Sequence, residues 1–111
     1  MAIAAEVKQS KADVKEILDY ANRSLGLSPL EYNRLEIKND DGSLAGVLFH
    51  PYRPHEKTVF VPKDRTPGHE IKGTRREVDK ALIRSGIDPD VSERIMDEDT
   101  ADWRAHHHYP S

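Results

Sequence analysis

The chain has no cysteine, which excludes disulfides and thiolate metal sites. Aromatic residues make up only 6% of it, and they are too scattered to form a base-stacking platform. No apolar run approaches the roughly 18 residues that a membrane span needs. The opening MAIAAEVKQSK lacks the basic start and long apolar core of a secretory signal. No Gly-Lys-Ser/Thr phosphate loop occurs. The acidic cluster Asp97, Glu98, Asp99 and Asp102 lacks the glycine-turned ligand pattern of a calcium loop. Internal repeats are absent. The expectation is a soluble, cytoplasmic protein without a cofactor.

What is present is mostly charge. At 111 residues the default is one domain, expected over residues 1–96. Hydrophobic content is 36% and charged content 33%, so only a small core is expected. The net charge of −3 is unevenly spread. Residues 50–86 carry 9 Lys and Arg against 5 Asp and Glu, a net of +4. Residues 87–111 carry 2 against 7, a net of −5. A basic face beside an acidic tail is one reading of this asymmetry, and a solvated surface is the other. The end, residues 97–111, has little to pack except Trp103 and is expected to be a mobile acidic, histidine-containing tail.

Local pattern predicts the elements. Ser10 with Asp13 starts a helix whose stripe is Val14, Ile17, Leu18, Ala21 and Leu25, and Gly26 ends it. Ser28-Pro29-Leu30-Glu31 gives a second, short start signal. Leu35–Lys38 alternates like a strand, Asn39–Ser43 is a hairpin turn, and Leu44–His50 is the returning strand with a bulge at Gly46. Thr58–Val61 is a third, β-branched strand closed by Pro62. After a polar loop, Thr74 with Glu77 is a capping box opening a helix that carries Val78, Ala81 and Leu82 and stops at Gly86. Asp88-Pro89-Asp90 starts a further short helix with Val91, Ile95 and Met96 inward. The order is α-β-β-β-α, an α+β fold: a three-stranded antiparallel sheet with both helices on one face, plus the acidic C-terminal extension. Val14, Ile17, Leu18, Leu35, Ile37, Val47, Phe49, Val59, Val61, Val78, Leu82 and Ile87 are expected to share one core.

Chemistry is sparse. His106, His107 and His108 are adjacent, so their side chains diverge, and no metal site is expected. His50, His55 and His69 flank the basic segment. Any of them is a candidate general base for RNA cleavage by the internal 2′-hydroxyl, with a nearby cation to stabilise the developing charge. A solvated loop histidine is the competing reading for each. Arg53, Lys57, Lys63, Arg65, Lys72, Arg75 and Arg76 are the candidate contacts for a nucleic acid or partner. Lys72-Gly73-Thr74 lies at a helix N-terminus, where backbone donors favour anions, although Thr74 also reads as an ordinary cap.

The stretch FHPYRPHEKTVFVP followed by IKGTRREVDKALIRSGI resembles the HicA family of small mRNA interferase toxins. An aromatic residue and a His-Pro turn precede a strand ending in Val-Pro. In the family a polar loop and a Gly-Thr-capped helix of the pattern GTxxxIxxxxGI follow; here Gly73-Thr74 is the cap, Val78 the apolar position and Gly86-Ile87 the exit, with seven residues in place of four before Gly86. The resemblance covers residues 42–87. It implies a fold like that of double-stranded-RNA-binding domains (dsRBD-like) and a toxin–antitoxin setting. The family's catalytic histidine stands in a Gly-Ser-His motif, where this chain has Gly42-Ser43-Leu44. Leucine transfers no proton. Two functional readings follow. One is a non-catalytic protein that holds RNA or a protein partner through the basic 50–86 region, the acidic tail or both, including an inhibitor of the phage-encoded kind. The other is a divergent ribonuclease using His50, His55 or His69.

Overall fold

The computed structural model describes residues 3–54, 56–64, 68–90 and 92–95. Helix α1 spans Ile3–Tyr20 and runs on into a π-helical turn, Ala21–Leu25. Strands β1 (Tyr32–Lys38), β2 (Leu44–Pro51), β3 (Thr58–Pro62) and β4 (Ile71–Gly73) follow. Helix α2 is Arg75–Arg84, and β5 is Ser92–Arg94. The strands form one antiparallel sheet in the order β4-β3-β2-β1-β5. The chain is α+β, as expected, and the three expected strands occupy the centre.

The three-stranded sheet is a correction. Two short strands flank it, and neither has a local signal. Ile71-Lys72-Gly73 is recruited from the expected loop by pairing with β3. The expected short helix after Asp90 is instead a strand, because the free edge of β1 accepts Ser92–Arg94 opposite Leu35–Ile37. Val91 and Met96, expected to face inward from that helix, lie outside the described residues, as does the expected 97–111 tail. Ser10 is not a cap either: α1 begins seven residues earlier, at Ile3. Ala4-Ala5-Glu6-Val7-Lys8 is mostly good helix-forming sequence, and an interior serine costs only a few tenths of a kcal/mol. Gly26 does end this segment. It adopts φ 68° and donates its N–H to the Ala21 carbonyl. Ser28–Glu31 makes a single turn, closed by the Glu31 N–H to the Ser28 carbonyl.

The helices pack on opposite faces, which corrects the one-face, one-core expectation. Alternation along β2 and β3 sends Val47, Phe49, Val59 and Val61 to one side. There they meet Ile17 and Ala21 of α1, with Leu27 and Leu44. Leu48 and Phe60 point the other way, onto Val78 and Leu82 of α2, with Ile37. The twelve expected core residues are all buried or partly buried, but they divide between these two layers. A sheet covered on both faces needs apolar residues at consecutive positions, and Val47-Leu48-Phe49 and Val59-Phe60-Val61 supply them. Fully burying each such side chain contributes about 1.5–3 kcal/mol.

The bulge is real. Ile37 pairs with Gly46 and Lys38 with Leu44, which leaves Ala45 as the extra residue. It reverses the facing of what precedes it, so Leu44 enters the α1 layer at 4% exposure. The turn before it closes through Asn39 N–H to the Ser43 carbonyl at 2.8 Å, with Gly42 at φ 87°.

Candidate functional site

One groove, of about 840 Å³, opens where the end of β2 and the start of β3 meet the first turn of α2. Its floor comes from strand register. Asn33 lies opposite His50, and Thr58 lies opposite Gly73. The Phe49–Val59 pair places His50 beside Thr58. These four positions cross β1 to β4 as a polar row on the α2 side. His50 Nδ1 lies 3.0 Å from the hydroxyl of Thr58, which is 1% exposed. Behind His50, the buried Asn33 Oδ1 has no hydrogen-bond partner.

The walls are charged. Arg53 and Lys57 come from the loop between β2 and β3, Lys72 from β4, and Arg75 from α2. Glu56 and Glu77 line the same groove. Arg75 is partly neutralised, because its Nε donates to Asp79 Oδ1 at 2.9 Å, one helical turn on. Among the described residues, no ion pair engages Arg53, Lys57 or Lys72. The Glu70 carboxylate, held below its usual range first by the Tyr20 hydroxyl, is also reached by the Lys72 charge.

The helix N-terminus is occupied by its own residues. Thr74 Oγ1 accepts the Glu77 N–H at 3.1 Å, and its hydroxyl lies 3.2 Å from Glu77 Oε1. Gly73 has no side chain where this carboxylate rests: a Cβ there would meet Glu77 Oε2 at 2.9 Å. Thr74 is therefore the ordinary cap, and Glu77 already answers the helix dipole. A phosphate is better placed at the rim of Arg53, Lys57 and Lys72.

Among the described residues, His50 is the one candidate histidine that lines this groove. His69 is exposed and faces Asp64 at 3.8 Å, outside it. His55 and Arg65 lie outside the described residues. Lys63 stands at the far end of β3, 3.4 Å from Asp13, and Arg76 is exposed without lining the groove. Sequence reasoning therefore named four of the groove's cations. It missed Thr58 and Asn33, whose roles depend on register. Glu77 it read only as the capping partner of Thr74, and Glu56 it did not single out. Leu44, where the HicA resemblance would place a histidine, is six residues from His50 along β2. At about 3.3 Å per residue that is roughly 20 Å.

Burial, reinforced by the Arg75 charge and opposed by Asp79, holds His50 below the usual imidazole range. The unfolded chain therefore binds a proton on this residue at a higher pH than the folded one. Its contribution to stability is complete above the ordinary value of about 6.5 and is lost as pH falls through the folded-state value. His50→Gln should flatten this part of the acid limb. Urea midpoints at pH 7.5 and 5.5 check it, and equal pH slopes in variant and parent would contradict the assignment.

On the opposite face a second hollow, of about 380 Å³, lies between the end of the π-helical turn and the start of β3. Leu25, Leu27, Tyr32 and Val59 wall it. Burial, with the Glu56 and Glu31 carboxylates, pushes the Tyr32 phenol up, so its hydroxyl stays protonated. Among the described residues no helix is long and apolar enough to cross a membrane, and no cluster of three His, Asp or Glu side chains is placed to hold a metal ion. No protein-family model, curated protein or solved structure matches the chain.

Proposed function

We propose that this chain is a non-catalytic binding protein that holds RNA in the groove between the β2–β3 loop, β4 and α2. The observation that carries the reading is the meeting of Arg53, Lys57 and Lys72 at one rim, although the Lys72 charge also reaches the Glu70 carboxylate. Cations gathered along a groove track a phosphate backbone without reading its sequence. The HicA-like order of residues 42–87 supports an RNA-directed scaffold. The placement of α2 across the sheet from α1 departs from the dsRBD-like packing that this resemblance implies. Leu44, buried in the α1 layer, supports binding without cleavage.

One observation favours the ribonuclease reading: His50, held towards its neutral form, lines the same groove as Arg75. A single assay series decides. The protein is incubated at neutral pH with labelled structured and unstructured RNA, and a tagged copy is recovered from lysate with and without nuclease treatment. The expected result is bound, intact RNA and a recovered pool that nuclease removes. Cleavage that His50→Ala abolishes in a folded protein would replace this reading with the enzyme. Recovery of a protein partner that nuclease leaves in place, with no RNA bound, would replace it with protein recognition.

A further inference from the structure

The two hollows are not independent. Lys57, Lys72 and Glu56 belong to the rim of both. Strand geometry explains this. Thr58 and Gly73 face the α2 side and form part of the larger groove, so Lys72, next to Gly73 in β4, points to the α1 side, and Lys57, in the loop just before Thr58, lines both hollows. Lys72 lies opposite Val59, which walls the smaller hollow. Lys57 stands in the loop one residue before β3, two residues from Val59, the partner of Lys72. A ligand that follows the cations therefore passes over the end of β3 and β4 and arrives at an apolar hollow containing one aromatic ring.

That sequence of surfaces is phosphate, phosphate, then a flat apolar group. It matches a nucleotide chain with one base turned out of its stack. A peptide of acidic residues alone, such as poly-glutamate, would meet the cations equally well but has no group to fill the hollow of Leu25, Leu27 and Tyr32. At about 380 Å³ the hollow lies near the lower end of the roughly 300–1,000 Å³ of small-molecule sites. We propose that the pocket walled by Leu25, Leu27, Tyr32 and Val59 takes one unpaired base of a single-stranded RNA whose flanking phosphates rest on Lys57 and Lys72. The inference rests on the RNA-binding reading and names the form of RNA. One ring, not a stacking platform, supplies the aromatic contact, and bases paired inside a duplex do not reach it.

The test compares four fluorescent ligands by anisotropy: an eight-nucleotide single-stranded RNA, the same sequence as a duplex, an abasic ribose-phosphate oligomer of equal length, and poly-glutamate of equal charge. Single-stranded RNA is expected to bind about tenfold more tightly than the abasic oligomer, a gap of the size one stacked base supplies. Tyr32→Leu keeps apolar packing and removes the ring. It should close that gap while leaving abasic affinity unchanged. In the unmodified protein, the Tyr32 ring resonances should shift on adding the RNA and stay in place with the abasic oligomer. This readout needs no variant to fold. Equal binding of RNA and abasic oligomer, preference for the duplex, or an unmoved Tyr32 ring would each overturn the base pocket and leave the RNA-binding reading standing. Poly-glutamate binding as tightly as RNA, or no RNA binding at all, would overturn both.

Discussion

Gly46→Ala is expected to cost about 3 kcal/mol, at the top of the usual range for overpacking a tight core. Gly46 lies in the second strand, between two neighbours, immediately after the bulge at Ala45. A Cβ there would collide with the backbone carbonyl of Val61 and would lie 2.6 Å from Phe60 Cζ and 2.9 Å from Cε2. A side-chain clash can be relieved by rotation, but a carbonyl inside a paired strand cannot retreat without breaking the ladder. The Phe60 ring is also fixed, at 2% exposure, among Leu48, Val78 and Leu82. Its edge fills the space that a side chain at position 46 would occupy. For a domain of this size, 1 kcal/mol corresponds to roughly 4–8 °C, so Tm should fall by about 10–25 °C. Phe60→Leu should restore only part of the loss, since the carbonyl contact remains. A Gly46→Ala protein melting within 2 °C of the parent would show that the second and third strands are not this close.

Phe60 and Gly46 also mark how far the sequence could be read. Strands at Leu44–His50 and Thr58–Val61 were legible because β-branched and apolar residues stand between clear turn signals. The runs Val47-Leu48-Phe49 and Val59-Phe60-Val61 already contained the two-faced sheet, since a sheet open on one side would alternate. Expecting both helices on one face missed it, because element order alone does not say which side a helix takes. The α2 helix was legible to within a residue, as Thr74, Glu77 and Gly86 are local signals at both ends. The β4 and β5 strands were not. Three residues carry too little pattern, and it is the free edges of β3 and β1 that define them. The site inherits this division. The basic character of residues 50–86 was visible as composition, and His50 was visible as a candidate. That Arg53, Lys57 and Lys72 meet, while Lys63 does not join them, follows from the pairing of Thr58 with Gly73, a long-range fact.

Reversing Lys57 and Lys72 together should therefore weaken RNA binding far more than their share of the chain's charge suggests. Both are exposed, so Lys57→Glu with Lys72→Glu leaves the two core layers intact. The variant removes two cations and adds two anions beside Glu56, at the point where both hollows meet. At 50 mM salt the affinity for single-stranded RNA should fall on the order of 100-fold. If each lysine meets one phosphate, the slope of log K against log salt should shrink by about 1.4, or about 0.7 for each lost contact to a single strand. The control is Lys80→Glu with Arg84→Glu. It makes the same change in net charge on exposed α2 positions that line neither hollow. The control is compared with the parent at about 0.15 M salt, where the Debye length is about 8 Å, so charges away from the groove are largely screened and it should stay within about threefold of the parent. Equal losses in the two variants would assign binding to overall charge and remove the groove as its location. A local effect, by contrast, ties binding to the turn of chain that brings Lys57 to the rim that Lys72 shares.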